Sequence, residues 1–330
     1  MKITKNNALK FKKTIFITGG AGFIGSTYLN KYVPVYTYYR FVNIDCLTYA
    51  GNKLNINVSN YSNYFFEYVD IRDIKKLEKL FKKYKPTDII HFAAESHVDK
   101  SIKDQNIFIE TNVLGTHNLL SMAKKYKIHR FHMVSTDEVY GSLKRKDGAF
   151  TEKSILSPNN PYSASKAGAE FIVRAYQKTF GLDAVITRSS NNYGPNQDIT
   201  KFIPLFIGNL LKNKKLPLYG FGENIRDWIY VEDNIIAIDL VFHGAQSGSI
   251  YNISGNCELS NIDIARHLIK LAGKTEKEIK YVKDRLGHDF RYAISSDKIR
   301  QELGWSPKTY FKDGILKTFL FYKNNYEKYE

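Results

Sequence analysis

The sequence is poor in the features that would take a chain out of aqueous solution. Among its 330 residues no apolar run approaches the roughly 20 residues that cross a bilayer. The segment from Met1 to Lys13 is polar and basic and leads straight into a strand-like run. It has neither the apolar stretch nor the small-residue cleavage site of a secretory signal. Only two cysteines occur, Cys46 and Cys257, too few for a disulfide framework and without metal-ligand spacing. The expectations are a cytoplasmic location, no membrane partner and no metal. Acidic residues are scarce too: 33 Asp and Glu against 49 Lys and Arg leave a net charge of +16. That sign suits nucleic acid, but the lysines are scattered through helix-like stretches such as 75–85 and 312–328, and no recognised binding motif accompanies them. No nucleic-acid partner is expected, only a positive field that helps gather small anions.

What is present is ordinary globular material, with 43% apolar, 25% charged and 14% aromatic residues, a composition that argues against disorder. The length suits one large α/β unit, or a main domain with a smaller companion. Buried-strand patterns run from Thr14 to Thr18, Phe41 to Asp45, Phe65 to Val69, Asp88 to Ala93, Phe131 to Ser135 and Ala184 to Arg188. Amphipathic stretches lie between them, at Asp73 to Tyr84, Asn106 to Tyr126 and Tyr162 to Phe180. Such alternation predicts a doubly wound parallel sheet with helices on both faces. Beyond Asn191 the pattern is less regular. Strand candidates at Trp228 to Val231, Ile250 to Ile253, Ile279 to Val282 and Tyr292 to Ile294 mix with helices at Asn261 to Leu271 and Gly314 to Lys328. We expect a first domain over 1–190 carrying the chemistry, and a smaller mixed α/β substrate lobe over 191–330 that crosses back to it.

Two constellations carry chemistry. Gly19, Gly22 and Gly25 follow the first strand and open a helix-like segment. Such a turn either joins strand to helix or lets the backbone approach a pyrophosphate at a helix N-terminus. Asp45, 20 residues after Gly25 at the end of the second strand, favours the second reading and suits the ribose of NAD, since a carboxylate there repels the 2′-phosphate of NADP. Asp70 ends the third strand, where it either meets the adenine edge or caps the next helix. Further along, Tyr162 and Lys166 share a helical face at i, i+4, where the ammonium is expected to lower the phenol pKa toward that of a general base. Thr136, Asp137 and Glu138 end the fifth strand, the sheet edge where ligands bind. Hydride transfer alone needs a hydroxyl; two added carboxylates imply that another proton is removed and another group expelled. The bland alternative is that Asp137 and Glu138 cap a loop or form surface ion pairs.

These residues, in this order, resemble the extended short-chain dehydrogenase/reductase superfamily, and within it the dTDP-glucose 4,6-dehydratases. The likeness spans nearly the whole chain: Thr18 to Gly25 (TGGAGFIG), Asp45 to Gly51 (DCLTYAG), His91 to Ser101 (HFAAESHVDKS), Phe108 to Gly115 (FIETNVLG), Ser135 to Gly141 (STDEVYG), Pro161 to Lys166 (PYSASK), Ser190 to Pro195 (SNNYGP), Leu216 to Gly220 (LPLYG), Ile225 to Asp233 (IRDWIYVED), Asp284 to Tyr292 (DRLGHDFRY) and Leu303 to Pro307 (LGWSP). The resemblance implies a Rossmann-type sheet, a tightly bound NAD regenerated in each turnover, and a nucleoside-diphosphate glucose as substrate. It implies that Tyr162, with Lys166 and Thr136, takes the proton of the sugar 4-hydroxyl, that Glu138 removes the C5 proton, and that Asp137 protonates the departing 6-hydroxyl. Phe23, Ile24, Asp45, Asp70, Ile71, Ala93, Thr111, Tyr162, Lys166 and Asn192 are then cofactor contacts, with the glycines. Ser96, Thr136, Asn191, Arg226, Asn261, Arg285 and His288 are substrate contacts. Arg226 suits a diphosphate, or else pairs with Asp227 or Glu232. A homodimer through helices near 106–126 and 162–180 is also implied, as is a place in rhamnose-type deoxysugar biosynthesis.

Two departures stand out: Lys100 replaces the arginine many relatives have before Ser101, and Leu286 replaces the proline of the segment Asp284 to Asp289. UDP-glucose in the same reaction is the alternative substrate. An epimerase on the same fold is the further rival, which shares the glycine turn and the Tyr-Lys pair but does not require Asp137 and Glu138.

Overall fold

The computed structural model describes residues 11–284 and 287–328. Its centre is a sheet of seven parallel strands in the order β10-β6-β5-β4-β1-β2-β3. These are β1 (Lys13–Thr18), β2 (Tyr39–Asp45), β3 (Tyr64–Tyr68), β4 (Asp88–His91), β5 (Arg130–Thr136), β6 (Ala184–Ser189) and β10 (Ile250–Ile253). The strands are apolar on both sides because both faces are covered. Ile15 and Ile17 enter one core with Tyr28, Ile235 and Ile238, while Phe16 between them enters the other with Leu77, Phe81 and Leu119. That is the period-two alternation of a strand sandwiched between helix layers.

The helices start and stop where local chemistry dictates. Asp73 caps the helix Ile74–Tyr84 by accepting from the Lys76 amide at 3.0 Å, and Leu77, Leu80 and Phe81 form its buried stripe. Asn160 and Ser163 form a capping box at the start of the helix Pro161–Phe180, which ends on Gly181 at φ +68°. The stretch read as one helix from Asn106 to Tyr126 is in fact three pieces. A π-helical segment, Ile109–Gly115, sits between α-helical Asn106–Phe108 and Thr116–Lys125. Tertiary bonds account for the break. The Asn112 amide exchanges hydrogen bonds with the Glu95 main chain at 2.8 and 3.0 Å, and the Thr116 hydroxyl donates to the Asn112 carbonyl at 2.6 Å.

The division near residue 190 is crossed by the chain. Ile250 to Ile253 form the edge strand of the main sheet, and the helix Val231–Gly244 supplies Val231, Ile235 and Ile238 to its core. Apart from the helix Asp297–Leu303, whose Ile299 joins the main-sheet core, the remaining C-terminal elements build a lobe with its own core around Phe206, Trp228, Leu268 and Phe319. It holds the mixed sheet β11-β9-β7, made of β7 (Asn191–Tyr193), β9 (Ile225–Tyr230) and β11 (Glu258–Ser260), and the pair β12-β8, made of β8 (Leu216–Tyr219) and β12 (Ile279–Val282). Tyr292 to Ile294 form no strand; isolated bridges such as Phe150 with Ile294 are all that pair there. Among the described residues no helix is long and apolar enough to cross a membrane.

Candidate active site

The sheet order places β4 beside β1 on one side and β2 on the other, so the connections leave in opposite directions at the carboxyl ends of β1 and β4. A crevice opens at such a point, and the glycine turn fills its floor. Gly19 has φ +70°, and a Cβ there would sit 2.5 Å from the Ala93 nitrogen; a Cβ on Gly25 would sit 2.4 Å from the Gly19 carbonyl oxygen. Gly22 heads the helix Phe23–Tyr32. Tight backbone packing thus requires glycine in this turn, and the helix N-terminus it leads into is the kind of place where a pyrophosphate binds. Gly19→Ala should destabilise the fold by about 1–3 kcal/mol and empty the crevice of dinucleotide. Thermal melting with and without NAD checks this, and an unchanged melting temperature with normal NAD binding would contradict it.

Asp45 ends β2 facing the turn. Its carboxylate accepts from the Ala21 amide at 2.9 Å and the Leu47 amide at 2.8 Å. Burial raises its pKa, and these amides only partly offset that. Each oxygen retains a lone pair for a ribose hydroxyl. Asp70 does not cap the following helix, a role taken by Asp73. Instead it holds Arg72 in a fork, with contacts of 2.7 to 3.1 Å, and Arg72 also reaches Glu110 at 3.0 Å. Burial would raise the Asp70 pKa, but the Arg72 hydrogen bonds prevail and hold it below the usual carboxylate range. One cavity wall brings together Gly19, Gly22, Phe23, Ile24, Gly25, Asp45, Asp70, Ile71, Ala93, Thr111, Tyr162 and Lys166. Asn192 is placed elsewhere, on a second cavity, with its amide tied to Ser189, Ser190 and Asn234.

That second cavity also carries Glu138, Asn191, Arg226, Asn261 and His288. Arg285 lies outside the described residues. The Arg226 guanidinium donates to the carbonyls of Ile225 at 2.7 Å, Asp289 at 2.9 Å and Phe290 at 3.3 Å, and lies 4.4 Å from the Tyr292 ring centroid. Asp227, its suggested partner, takes hydrogen bonds from the Ser254 hydroxyl at 2.6 Å and the Cys257 amide at 2.9 Å. Ser96, Gln197 and Lys201 line both cavities and so mark their junction. The Lys201 ammonium donates to the Ser96 carbonyl at 2.6 Å. Burial lowers its pKa, and the charges of Glu138, Asp198 and Asp99 work against that. Sequence reasoning missed Gln197 and Lys201. They sit in an irregular loop whose only signal is its place between Asn191-Asn192-Tyr193 and the apolar helix Phe202–Leu211.

At the end of β5 the chain tightens into a single turn, Asp137–Tyr140, headed by Thr136. The Thr136 hydroxyl accepts from the Glu138 amide at 3.2 Å and donates to Asp137 Oδ1 at 3.3 Å. Asp137 is only 2% exposed, which rules out a surface ion pair, and its Oδ2 has no hydrogen-bond partner among the described residues. Burial drives its pKa far up, and the charges of Glu138 and Asp227 add to the shift against a smaller pull from Arg226. Asp137 is therefore biased toward its protonated, acid form. Glu138 is half-buried, with the Asn160 amide donating to it at 3.5 Å. Two adjacent carboxyls in unlike environments are how one site holds an acid and a base together.

The Tyr-Lys pair behaves differently from the expectation drawn from its spacing. Burial raises the Tyr162 pKa, the Glu138 charge adds to that, and a hydrogen bond with Thr136 pulls it back only in part. The Lys166 ammonium donates to the Val134 carbonyl at 2.9 Å. Its own pKa is lowered to about 8 by burial, against an upward pull from Glu170. Desolvation outweighs the i, i+4 charge effect here.

A parallel sheet with a close-packed glycine turn at its switch point, a carboxylate closing β2, and a Tyr-Lys pair on the helix Pro161–Phe180 beside the end of β5 define a dinucleotide-dependent enzyme of the short-chain dehydrogenase/reductase class. The family model described as GDP-mannose 4,6 dehydratase matches residues 16–318, and the chain belongs to that family. It is 45% identical to the dTDP-glucose 4,6-dehydratase of Haemophilus influenzae, over 94% of this chain and 98% of that protein. Among solved structures it is similar to the dTDP-glucose 4,6-dehydratase of Bacillus anthracis in complex with NAD (TM-score 0.89, 46% identity, 96% and 98% of the two chains). It is similar also to that of Streptomyces venezuelae with NAD and dTDP bound (TM-score 0.92, 43% identity, 96% and 99%). The UDP-glucose 4-epimerase of Thermotoga maritima shares the fold at a TM-score of 0.88 but only 27% identity.

Proposed function

We propose that the protein converts dTDP-glucose to dTDP-4-keto-6-deoxyglucose, a step of rhamnose-type deoxysugar synthesis. The observation that carries this reading is the buried Asp137, its pKa driven up, beside half-buried Glu138 in the turn that Thr136 heads, with Glu138 and Thr136 both acting on Tyr162. NAD fits the first cavity, since the close-packed glycine turn and the helix N-terminus at Gly22 line it together with Asp45, whose carboxylate is available to a ribose. When bound there, NAD would supply the hydride acceptor for sugar C4 and the hydride for C6. Tyr162 takes the 4-hydroxyl proton, with Lys166 holding positive charge beneath it. The C4 ketone acidifies C5, Glu138 removes that proton, Asp137 protonates the 6-hydroxyl so that water leaves, and Glu138 gives its proton back to C5 as hydride reaches C6. The protons balance through Thr136, because Tyr162 gains one proton as Asp137 loses one and the Thr136 hydroxyl bonds to both. Arg226, Ser96, Asn191, Asn261, Arg285 and His288 are assigned to the nucleotide sugar, and Arg226 to its diphosphate.

Incubation with dTDP-glucose and UDP-glucose, read by mass spectrometry, tests the proposal. Loss of one water from dTDP-glucose is expected. An unchanged mass with inversion at C4 would make the protein an epimerase, and a tenfold or greater preference for UDP-glucose would overturn the choice of nucleotide. The relatives' names do not favour UDP-glucose. A cytoplasmic location and a homodimer belong to the same reading. Ile109, Leu114, Phe171 and Phe180, exposed on the helices near 106–126 and 162–180, fit a self-association face, and sedimentation at low protein concentration would reveal a monomer if they do not pair.

A further inference from the structure

An ion pair without solvent contact lies behind the active site. Arg188 of β6 is 2% exposed in its side chain and Glu170 of the helix Pro161–Phe180 is 0% exposed. The guanidinium Nε meets both carboxylate oxygens at 3.1 and 3.0 Å, and Nη2 meets one at 2.5 Å. Nη1 donates to the Tyr140 hydroxyl at 2.7 Å, which in turn donates to Asn252 Oδ1 of β10 at 2.8 Å. The Tyr140 ring is itself fixed, stacked on Phe150 at a centroid distance of 5.0 Å. Buried ion pairs add little net stability because desolvation cancels most of the attraction. Their worth lies in geometry, and here in what the ends are attached to. Tyr140 closes the turn Asp137–Tyr140, two residues after Glu138. Glu170 stands one helical turn beyond Lys166, on the helix that carries Tyr162.

We propose that the Tyr140–Arg188–Glu170 network is a positioning device that holds the acid/base turn in register with the Tyr-Lys helix, so that elimination follows oxidation in one fixed sugar pose. The proposal rests on the dehydratase reading. Elimination needs Glu138 at C5 and Asp137 at the 6-oxygen at the same moment, and small misplacements of reacting groups are costly. Proton removal and charge at C4 come from Tyr162 and Lys166, on the helix at the other end of the brace. Loss of the brace at the Tyr140 end therefore strikes the second half-reaction selectively. Tyr140, Arg188 and Glu170 touch neither sugar nor cofactor in this scheme; they act through the residues they hold.

Tyr140→Phe removes the hydroxyl and leaves the ring and the Arg188–Glu170 pair in place. In single turnovers of the holoenzyme with dTDP-glucose, the absorbance of reduced nicotinamide should rise within about twofold of the wild-type rate. Its decay and the release of the dehydrated product should slow by about ten- to a hundredfold, with KM little changed. Asn252→Ala removes the other partner of the same hydroxyl and should shift the two phases in the same direction by less. Equal slowing of rise and decay, or slowing of neither, would overturn the proposal. If Tyr140→Phe does not fold, Asn252→Ala decides by the same criterion. A wild-type protein that dehydrates neither nucleotide sugar would instead refute the dehydratase reading, so the two failures are separable.

Discussion

Glu138→Gln should stop product formation by about 10²- to 10⁴-fold while oxidation at C4 continues, so that mixing with dTDP-glucose leaves reduced nicotinamide standing in the site. The amide keeps the size of the carboxylate and the donor contact from Asn160 is replaceable, but it cannot take a proton from C5. The substitution has a second consequence of opposite sign. The Glu138 charge is one of the causes that raise the Tyr162 pKa, and removing it makes the phenolate easier to form. The pH dependence of the oxidation step should therefore move to lower pH in Glu138→Gln, even as turnover is lost. Stopped-flow absorbance across pH, with mass analysis of the quenched sugar, reads both effects. A variant that forms no reduced nicotinamide, or whose oxidation limb moves to higher pH, would show that Glu138 has another role. Asp137→Asn shares the block on elimination but leaves the adjacent Glu138 charge in place, so the two variants should differ in the oxidation limb.

How far the sequence foretells this site depends on whether local pattern or tertiary contact decides each feature. The six strand patterns before residue 190 correspond to β1 through β6, because strands covered on both faces write themselves as apolar runs. The twofold reading of Asp70 resolves only in space, where Arg72 claims its carboxylate and Asp73 caps the helix. The π-helical segment Ile109–Gly115 left no trace in the periodicity, since its causes are bonds from Asn112 to Glu95 and Ser165, residues remote in sequence. Lys201 was invisible for a similar reason: an irregular loop carries it to Ser96, 105 residues away in the chain. The largest reversal concerns the Tyr162 phenol. Spacing predicts a cation beside it, but burial, which spacing does not report, decides the direction of the shift.

That reversal sets the terms for Tyr162→Phe, which should suppress the whole reaction by about 10²- to 10⁴-fold and, unlike Glu138→Gln, show no reduced nicotinamide. The Tyr162 phenolate is the proton acceptor for the first step, and no later step can begin without the C4 ketone. Burial opposes its ionisation, so the positive charge of Lys166 beneath the ligand has to be kept. With its pKa lowered to about 8, Lys166 is charged below that pH and neutral above it. Oxidation should gain as pH rises toward phenolate formation, then fail as the ammonium loses its proton, giving kcat/KM a descending limb near pH 8. Lys166→Met should lower the rate by about 10²-fold or more and erase that limb, and the double variant should be little worse than either single one, because the two groups act as a unit. Tyr162→Phe retaining activity within tenfold of wild type would remove the phenol from the mechanism. Additive losses in the double variant would mean that Lys166 serves the cofactor site independently of the phenol.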